Sequence, residues 1–168
     1  MIDSLHALLL RIYRRLPRRA RVAIVHTLAP TFTVGAICVI ERPDGAVLLV
    51  RHAYRRRWGL PGGLLNRGED PRVAAKREAL EEVGVEIETV GEPAVVVDPR
   101  PRRVDVIFRA RLANGISPDA IRPASVEIVE ARWFPGEELP ELQHETAGAL
   151  VALARARRPV SQNGELER

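Results

Sequence analysis

The chain has 168 residues, of which 46% are hydrophobic, and this length suits one domain with a full hydrophobic core. The net charge of +4 and the isoelectric point near 10.1 favour anionic partners, but they do not choose between a nucleotide, a nucleic acid and a membrane surface. The single Cys38 excludes an internal disulfide and a cysteine-rich zinc site, and its apolar neighbours predict a packed core thiol.

Residues 4–16 predict an amphipathic helix with one apolar and one basic side. Its apolar positions recur at helical spacing and are Leu5, Leu8, Leu9, Ile12, Tyr13 and Leu16. Arg11, Arg14 and Arg15 lie opposite, Pro17 ends the pattern, and the rest of residues 1–30 is interpreted as a basic connector. Three destinations stay open for the apolar side: its own domain, a second copy in a homodimer, or an anionic membrane surface.

The N-terminal stretch does not resemble a secretory signal, because it lacks a leading basic patch and arginines follow its short apolar run. No apolar stretch reaches the length of a membrane span. Together these features predict a cytoplasmic location. From Pro159 onward the chain is polar, so residues 159–168 are predicted to form a disordered tail.

Short apolar runs separated by turn-forming residues predict strands along the rest of the chain. They cover residues 32–40, 46–50, 94–97 and 104–112. Residues 42–45 form the turn between the first two strands, since Pro43 presets one backbone dihedral and Gly45 permits the next. Pro140 is predicted to open a final helix with an apolar stripe. Strands and helices are therefore mixed.

Residues 62–85 organise the rest of the chain, and their pattern predicts a loop, a helix and a second loop. Asp70 can cap the helix, Pro71 suits its first turn, and Gly84 stands where a helix should stop. At about 100° per residue, the positions between these limits divide into two arcs.

The two arcs of this helix differ in chemistry. We expect the first arc to pack on the sheet, and it holds Val73, Ala79, Leu80 and Val83. The opposite arc holds Ala74, Glu78, Glu81 and Glu82. Like charges at spacings of three and four repel each other, which lowers helix stability. A hard divalent cation such as Mg²⁺ takes oxygen ligands and would reverse that effect, although a solvated acidic face is the alternative interpretation.

The neighbours of these glutamates complete a longer motif. Gly63 is followed after five residues by Glu69, and after seven more by Arg77, Glu78, Ala79, one residue, Glu81, Glu82, one residue, Gly84 and Val85. This spacing resembles the 23-residue box of the Nudix hydrolase superfamily, whose members include the MutT-like pyrophosphohydrolases. Weaker similarity to the family extends over about residues 32–157, including the Trp-Gly-Leu-Pro-Gly-Gly approach to the box. Residues 127–134 resemble the last strand of the family's domains, with Trp133-Phe134 as the landmark.

The resemblance implies a fold, which is an α/β/α sandwich with a mixed β-sheet over residues 31–158, plus the separate N-terminal amphipathic helix. It also implies site residues. Glu78, Glu81 and Glu82 would be metal ligands, Glu78 would double as candidate general base, and the Gly62 carbonyl would complete the metal shell. Arg77 would orient a glutamate through a charge-assisted bond, with Glu69 as its partner.

Family members often bring a further carboxylate from near the end of the domain. Glu127 and Glu130 both lie in the matching region before Trp133. Side chains alternate along a regular strand, so these two would face opposite sides. We expect Glu127 to be the residue that serves the metal.

The loop after the second strand offers candidates for substrate binding. Arg51 could contact a phosphate and Trp58 could stack on a base, with a solvated arginine and a ring packed on its own fold as the alternatives. His52 has no nucleophile to pair with and is interpreted as polar surface. Pro101 follows the box by sixteen residues, near where the ADP-ribose-hydrolysing subgroup tends to carry a proline.

The function expected from the resemblance is hydrolysis of a pyrophosphate bond with Mg²⁺ or Mn²⁺ as cofactor. The substrate would be a small nucleotide, namely a nucleoside diphosphate linked to another moiety: a nucleoside triphosphate, ADP-ribose or another nucleotide sugar, or a dinucleotide. The alternative is a non-catalytic binding or regulatory module on the same fold. No specific nucleic acid partner is predicted, because the arginines lack an aromatic platform.

Overall fold

The computed structural model describes residues 2–29 and 31–156, and its contacts divide the chain into two compact units. The first unit runs to Phe32 and the second begins at Thr33. The predicted tail, residues 159–168, lies outside the described residues. The sequence-based limits of the domains therefore stay predictions.

The N-terminal unit contains two helices, α1 (Ile2–Arg15) and α2 (Arg18–Leu28). The predicted helix is confirmed as α1, but most of the predicted connector is helical. Pro17 stands at the N-cap of α2, where its missing N–H is not needed, and its carbonyl accepts a hydrogen bond from the Arg21 N–H at 3.1 Å. No helix among the described residues is both long and apolar enough to cross a membrane.

The second unit holds the remaining elements. They are β1 (Thr33–Ile40), β2 (Val47–His52), β3 (Gly62–Leu64), α3 (Pro71–Val83), β4 (Ile87–Asp98), β5 (Arg103–Leu112), β6 (Ile128–Phe134) and α4 (His144–Ala156). A 3₁₀ turn at Pro118–Ala120 precedes β6. The predicted strand at 94–97 is the second half of β4, whose first half was missed because Gly91 and a register shift after Val90 interrupt the pattern. The last helix begins at His144 rather than Pro140.

The strands form a mixed sheet and a separate antiparallel pair. The four-stranded sheet has the order β3-β1-β5-β4, in which β1 and β5 run parallel and the other neighbours are antiparallel. The pair consists of β2 and β6. Parallel pairing of β1 with β5 needs a long crossover, and the chain between them supplies it with α3 and β4.

Two hydrophobic clusters lie on opposite sides of the strands. Along β1, Ala36, Cys38 and Ile40 belong to the cluster that includes the buried face of α3. Ile37 and Val39, which alternate with them, belong to the cluster that includes α4. Strand alternation thus directs one side chain set to each helix, and the predicted α/β/α sandwich is confirmed.

The face of α3 that packs on the sheet differs from the predicted one. The buried residues of this helix are Ala74, Ala75, Ala79, Glu82 and Val83. Val73 and Leu80, which were expected to face the sheet, are 57% and 50% exposed, so that expectation was wrong. The three alanines explain the difference, because their small side chains let the helix approach closely, whereas a larger side chain there would overpack the core.

Cys38 is a core thiol, as predicted. It is fully buried, and its Sγ donates a hydrogen bond to the Ala75 carbonyl of α3 at 3.0 Å. Burial raises the pKa of this thiol well above its usual range, and the charges of Glu82 and Glu78 raise it further. The contact also ties β1 to α3 directly beneath the helix face that carries the glutamates.

The close approach of α3 to the sheet can be tested with Ala79→Leu. We expect this change to lower the free energy of unfolding by about 1–3 kcal/mol, since the added methylenes meet a filled core. Leu80→Ala at the exposed neighbouring position should cost much less, roughly 1 kcal/mol or below. Urea denaturation followed by circular dichroism measures both. A Leu80→Ala loss equal to that of Ala79→Leu would contradict the observed orientation of the helix.

Candidate active site

Two adjacent glycines bring β3 between β1 and α3. Gly62 has a φ of +152°, and a Cβ there would lie 2.8 Å from the Ile37 Cα. A Cβ on Gly63 would lie 2.6 Å from the carboxyl carbon of Glu78. Gly62 therefore cannot carry a side chain, because a Cβ would meet backbone, whereas a side chain at Gly63 would displace the Glu78 carboxylate. As a result, the backbone of β3 lies directly against the glutamate face of α3.

The ends of α3 follow the chemistry predicted from the sequence. The Asp70 carboxylate accepts hydrogen bonds from the backbone N–H groups of Arg72 at 2.8 Å and Val73 at 3.4 Å. Gly84 adopts the left-handed conformation with φ 71°, and its N–H bonds the Leu80 carbonyl. These caps fix the start and end of the helix, and so the direction in which its glutamates point.

Arg77 is the centre of an ion-pair network. Its Nε and Nη2 donate to the two carboxylate oxygens of Glu69 at 2.8 and 2.9 Å. Its Nη1 donates to Glu78 Oε1 at 2.7 Å and to Glu81 Oε2 at 3.1 Å. The bond to Arg77 lowers the pKa of Glu69 to about 2, so this carboxylate is ionised at neutral pH. One guanidinium thus holds three carboxylates of the box, those of Glu69, Glu78 and Glu81.

Glu82 is the most buried of the helix glutamates, with 7% of the residue exposed. Its Oε2 accepts a hydrogen bond from the Gly62 N–H at 3.1 Å. Its Oε1 lies 3.5 Å from the Nε2 of His52, at the end of β2. The Nδ1 of this histidine is buried and has no hydrogen-bond partner among the described residues. Backbone and imidazole together hold the Glu82 carboxylate toward the interior side of α3.

Glu78 lies between the Arg77 network and Glu82. Burial raises the pKa of Glu78, Arg77 opposes this effect, and the charges of Glu82 and Glu81 add to it. The repulsion predicted from the spacing of the glutamates is therefore present, but Arg77 lowers the pKa of Glu78 more than Glu82 and Glu81 raise it, and the net rise comes from burial.

A polar cavity of about 520 Å³ opens beside these groups. Of the predicted site residues, those that line it are Gly62, Arg77, Glu78, Glu82 and Glu127. Glu69 and Glu81 are not among its lining residues and reach it only through Arg77, and Glu81 is 56% exposed at its side chain. The two elements that carry the box, β3 and α3, and the residue just before β6 thus meet at one cavity.

Arg51 and Trp58 do not line this cavity. Arg51 donates to Glu130 from Nε and Nη2 at 3.2 and 2.8 Å. Trp58 packs edge-on against Phe134, with ring centroids 4.8 Å apart. Both therefore contact their own fold, and their roles in binding stay predictions. Of the two candidate carboxylates, Glu127 lines the cavity and Glu130 is paired with Arg51.

Sequence reasoning missed several cavity residues. His52 was interpreted as surface, whereas it is 9% exposed and faces the cavity. His52 was assigned to the loop after the second strand, but it continues the alternation of Leu48 and Val50, which pack on the α3 side, and so it faces Glu82. Arg55, Arg103 and Glu145 also line the cavity. They come from three distant segments, so no local pattern could have grouped them.

The chemistry of the donor set suits a hard divalent cation, since Glu78 and Glu82 offer carboxylate oxygens to one cavity in which their charges repel each other. In the arrangement described, no group of three or more His, Cys, Asp or Glu side chains among residues 2–29 and 31–156 stands ready to hold a metal. The reason is visible at Arg77, which occupies an oxygen of Glu78 and one of Glu81.

Comparison with known proteins agrees with the geometry. The model of the NUDIX domain family matches residues 31–154. The chain belongs to the Nudix family. A MutT-like protein from Streptomyces ambofaciens is 30% identical over 115 residues, which cover 68% of this chain and 71% of that protein.

Other Nudix proteins add to the comparison. An ADP-ribose pyrophosphatase from Mycobacterium tuberculosis is 39% identical over 88 residues, covering 49% of this chain and 42% of that enzyme. A crystal structure of a Nudix hydrolase from Nitrosomonas europaea has a TM-score of 0.65 and 29% identity, covering 76% of this chain and 73% of that one. The chain is thus a Nudix pyrophosphohydrolase, an enzyme that hydrolyses a pyrophosphate bond.

The contact between β3 and Glu78 can be tested with Gly63→Ala. The new methyl would occupy the space of the Glu78 carboxylate, which must swing away, so we expect kcat to fall about a hundredfold while the fold survives. Gly136→Ala is a matched control, because its Cβ would lie 3.3 Å from the Gly45 carbonyl oxygen, in a turn that does not line the cavity. Steady-state kinetics and thermal melting measure both variants. Wild-type turnover in Gly63→Ala would show that Glu78 is not held where it must act.

Proposed function

We propose that this Nudix enzyme cleaves the pyrophosphate bond of a nucleoside diphosphate linked to a further moiety, with Mg²⁺ or Mn²⁺ as cofactor. The observation that carries the proposal is the convergence of Glu78, Glu82 and Glu127 on one polar cavity beside the Arg77 network. A non-catalytic module would have no use for like charges placed together at the cost of their mutual repulsion.

The residues that would hold the cation are the glutamates of α3, namely Glu78, Glu81 and Glu82, with the Gly62 carbonyl and Glu127 as further oxygen donors. When bound, a divalent cation neutralises charge on phosphate oxygens and activates water. Glu81 and Glu78 share the Nη1 of Arg77, so metal binding would draw on carboxylates that the guanidinium already gathers.

The other groups of the site orient these carboxylates. Glu69 fixes the guanidinium of Arg77 through two bonds, and the Gly62 N–H fixes one oxygen of Glu82. Glu78 is the candidate general base, because it lies between these two anchored groups at the cavity wall. Charges positioned in this way accelerate phosphoryl transfer.

A second cavity of about 390 Å³, which shares Arg55, Arg103 and Glu145 with the first, supports a choice of substrate class. Arg55 pairs with Glu145 and Arg103 with Asp105 at this junction, and a diphosphate that replaced these partners would cross from one cavity to the other. Val96, Pro101 and Ile107 add apolar surface to the second cavity. This shape favours a nucleotide with a group beyond the diphosphate, as in ADP-ribose and other nucleotide sugars, over a nucleoside triphosphate.

The wider expectations on partners stay predictions. A small nucleotide is the proposed substrate, and a cytoplasmic location agrees with such a substrate. The relative that acts on ADP-ribose by name is matched over less than half its length, so its substrate is carried over here only as a candidate.

The metal ligands can be tested with Glu78→Gln, Glu81→Gln and Glu82→Gln, singly and combined. Each change removes a charged oxygen donor, so we expect turnover to fall by roughly two orders of magnitude or more. The assay is a panel of nucleoside triphosphates, ADP-ribose, other nucleotide sugars and NADH with Mg²⁺ or Mn²⁺, with products identified to locate the broken bond. Thermal stability of the wild type should rise with added metal.

Glu92→Gln is the control for these variants, because Glu92 is exposed in β4 and does not line the cavity. It should keep wild-type turnover and the same gain in thermal stability with metal. If the triple glutamine variant were as active as the wild type, the assignment of the ligands would be wrong.

The choice between Glu127 and Glu130 gives a second test. We expect Glu127→Gln to reduce turnover roughly tenfold to a hundredfold, since this carboxylate faces the cavity. Glu130→Gln removes a half-exposed partner of Arg51 and should cost about 1 kcal/mol of stability or less, with turnover nearly unchanged. Kinetics and urea denaturation of both variants separate these effects. The reverse ranking of the two turnover numbers would identify Glu130 as the functional carboxylate.

A further inference from the structure

The net positive charge of this protein lies entirely in its N-terminal unit. Residues 1–32 contain six arginines and one acidic residue, Asp3, and therefore carry a formal charge of +5, compared with +4 for the whole chain. The catalytic unit from Thr33 onward is close to neutral by the same count, despite its many arginines. The basic character of the chain is thus a property of α1, α2 and the turn between them.

The same unit exposes large apolar side chains. Leu8 and Ile12 of α1 are 53% and 52% exposed, and Val22 and Val25 of α2 are 45% and 49% exposed. A spacing of three or four residues places each pair on one side of its helix. Each helix thus exposes a pair of aliphatic side chains, and exposed apolar groups of this kind indicate an interaction site.

Arginines border the exposed aliphatic side chains on each helix. In α1, Arg11 and Arg15 follow Leu8 and Ile12 by three residues each. In α2, Arg18 and Arg21 precede Val22 and Val25 by four residues each. A cleft of about 320 Å³ is lined by Tyr13 of α1 and by four residues of α2, namely Arg18, Arg21, Val22 and Val25. The Arg21 guanidinium lies 6.0 Å from the centre of the Tyr13 ring.

We propose that this two-helix unit binds the surface of an anionic lipid bilayer, with its aliphatic side chains in the headgroup boundary and its arginines against lipid phosphates. An amphipathic helix with an arginine-rich polar face and modest total hydrophobicity is the type that lies in a membrane interface without crossing it. The proposal locates the enzyme at a membrane surface and leaves its chemistry in the second unit.

The charge of the N-terminal unit favours an anionic bilayer over a second copy of the chain or a nucleic acid. A second copy of the unit would place +5 against +5, with Asp3 as the only acidic residue in either set of residues 1–32. A nucleic acid would pair with the arginines, but it would leave the aliphatic side chains in water. An anionic bilayer satisfies both sets of side chains, because each arginine near its surface contributes favourably and each buried aliphatic group adds to the binding.

The test is cosedimentation of the full-length protein with vesicles of phosphatidylcholine alone, or with about one third phosphatidylglycerol. We expect binding to the anionic vesicles only, and its loss at about 0.5 M salt, where charges are screened. Arg11→Gln/Arg14→Gln/Arg15→Gln should weaken partitioning about a hundredfold. Lys76→Gln/Arg122→Gln/Arg155→Gln removes the same charge from exposed positions in the catalytic unit and should bind within about twofold of the wild type.

A second variant separates a lipid surface from simple attraction between charges. Leu8→Ser/Ile12→Ser keeps every arginine and should also lose most of the binding. Circular dichroism and unchanged hydrolysis of a soluble nucleotide confirm that each variant is folded. The proposal is overturned if neutral and anionic vesicles bind equally or not at all, or if the catalytic-unit variant is weakened as much as the α1 variant.

Two other results would also overturn the proposal by naming a different occupant. Light scattering could show a dimer that Leu8→Ser/Ile12→Ser dissociates, in a protein that does not bind vesicles. Alternatively, Leu8→Ser/Ile12→Ser could keep full salt-sensitive binding to polyuridylate while the wild type ignores vesicles.

Discussion

The site depends on one guanidinium. Arg77 pairs with Glu69 through two hydrogen bonds and with Glu78 and Glu81 through a third nitrogen, so it fixes where the acidic face of α3 can point. Without this cation the three glutamates of the helix would repel one another, and the helix would lose stability where it must be most ordered. The same pairing leaves Glu82 to the Gly62 N–H. Arg77 therefore holds the carboxylates of Glu69, Glu78 and Glu81, whereas Glu82 is buried and bound to the backbone.

The fold serves this network through close packing. Three alanines let α3 approach the sheet, and Gly62 and Gly63 let β3 pass against it. Both contacts depend on small residues, so the position of Glu78 is set by the small size of its neighbours as well as by its hydrogen bonds. Interiors packed to this density transmit small displacements instead of absorbing them. The site is therefore sensitive to substitutions that add a single methyl group.

Local chemistry made part of this arrangement readable from the sequence. Asp70, Pro71 and Gly84 limit α3 because caps act on adjacent backbone groups, and the box spacing brought Glu69 to Arg77. The buried side of α3 was misjudged because alanines carry little weight in an apolar pattern. His52 was missed because it was assigned to a loop, although it continues the side of β2 that holds Leu48 and Val50. Cavity residues such as Arg103 and Glu145 are grouped by tertiary packing alone, which no single stretch of sequence encodes.

The central claim is that the acidic face of α3 holds a divalent cation. The most direct measurement is anomalous X-ray scattering from crystals of the wild-type protein grown with Mn²⁺. We expect a strong anomalous peak in the cavity against the carboxylates of Glu78 and Glu82, with Arg77 still bonded to Glu69. A peak at another carboxylate cluster, or none at saturating Mn²⁺ with Arg77 still bonded to Glu78 and Glu81, would contradict it.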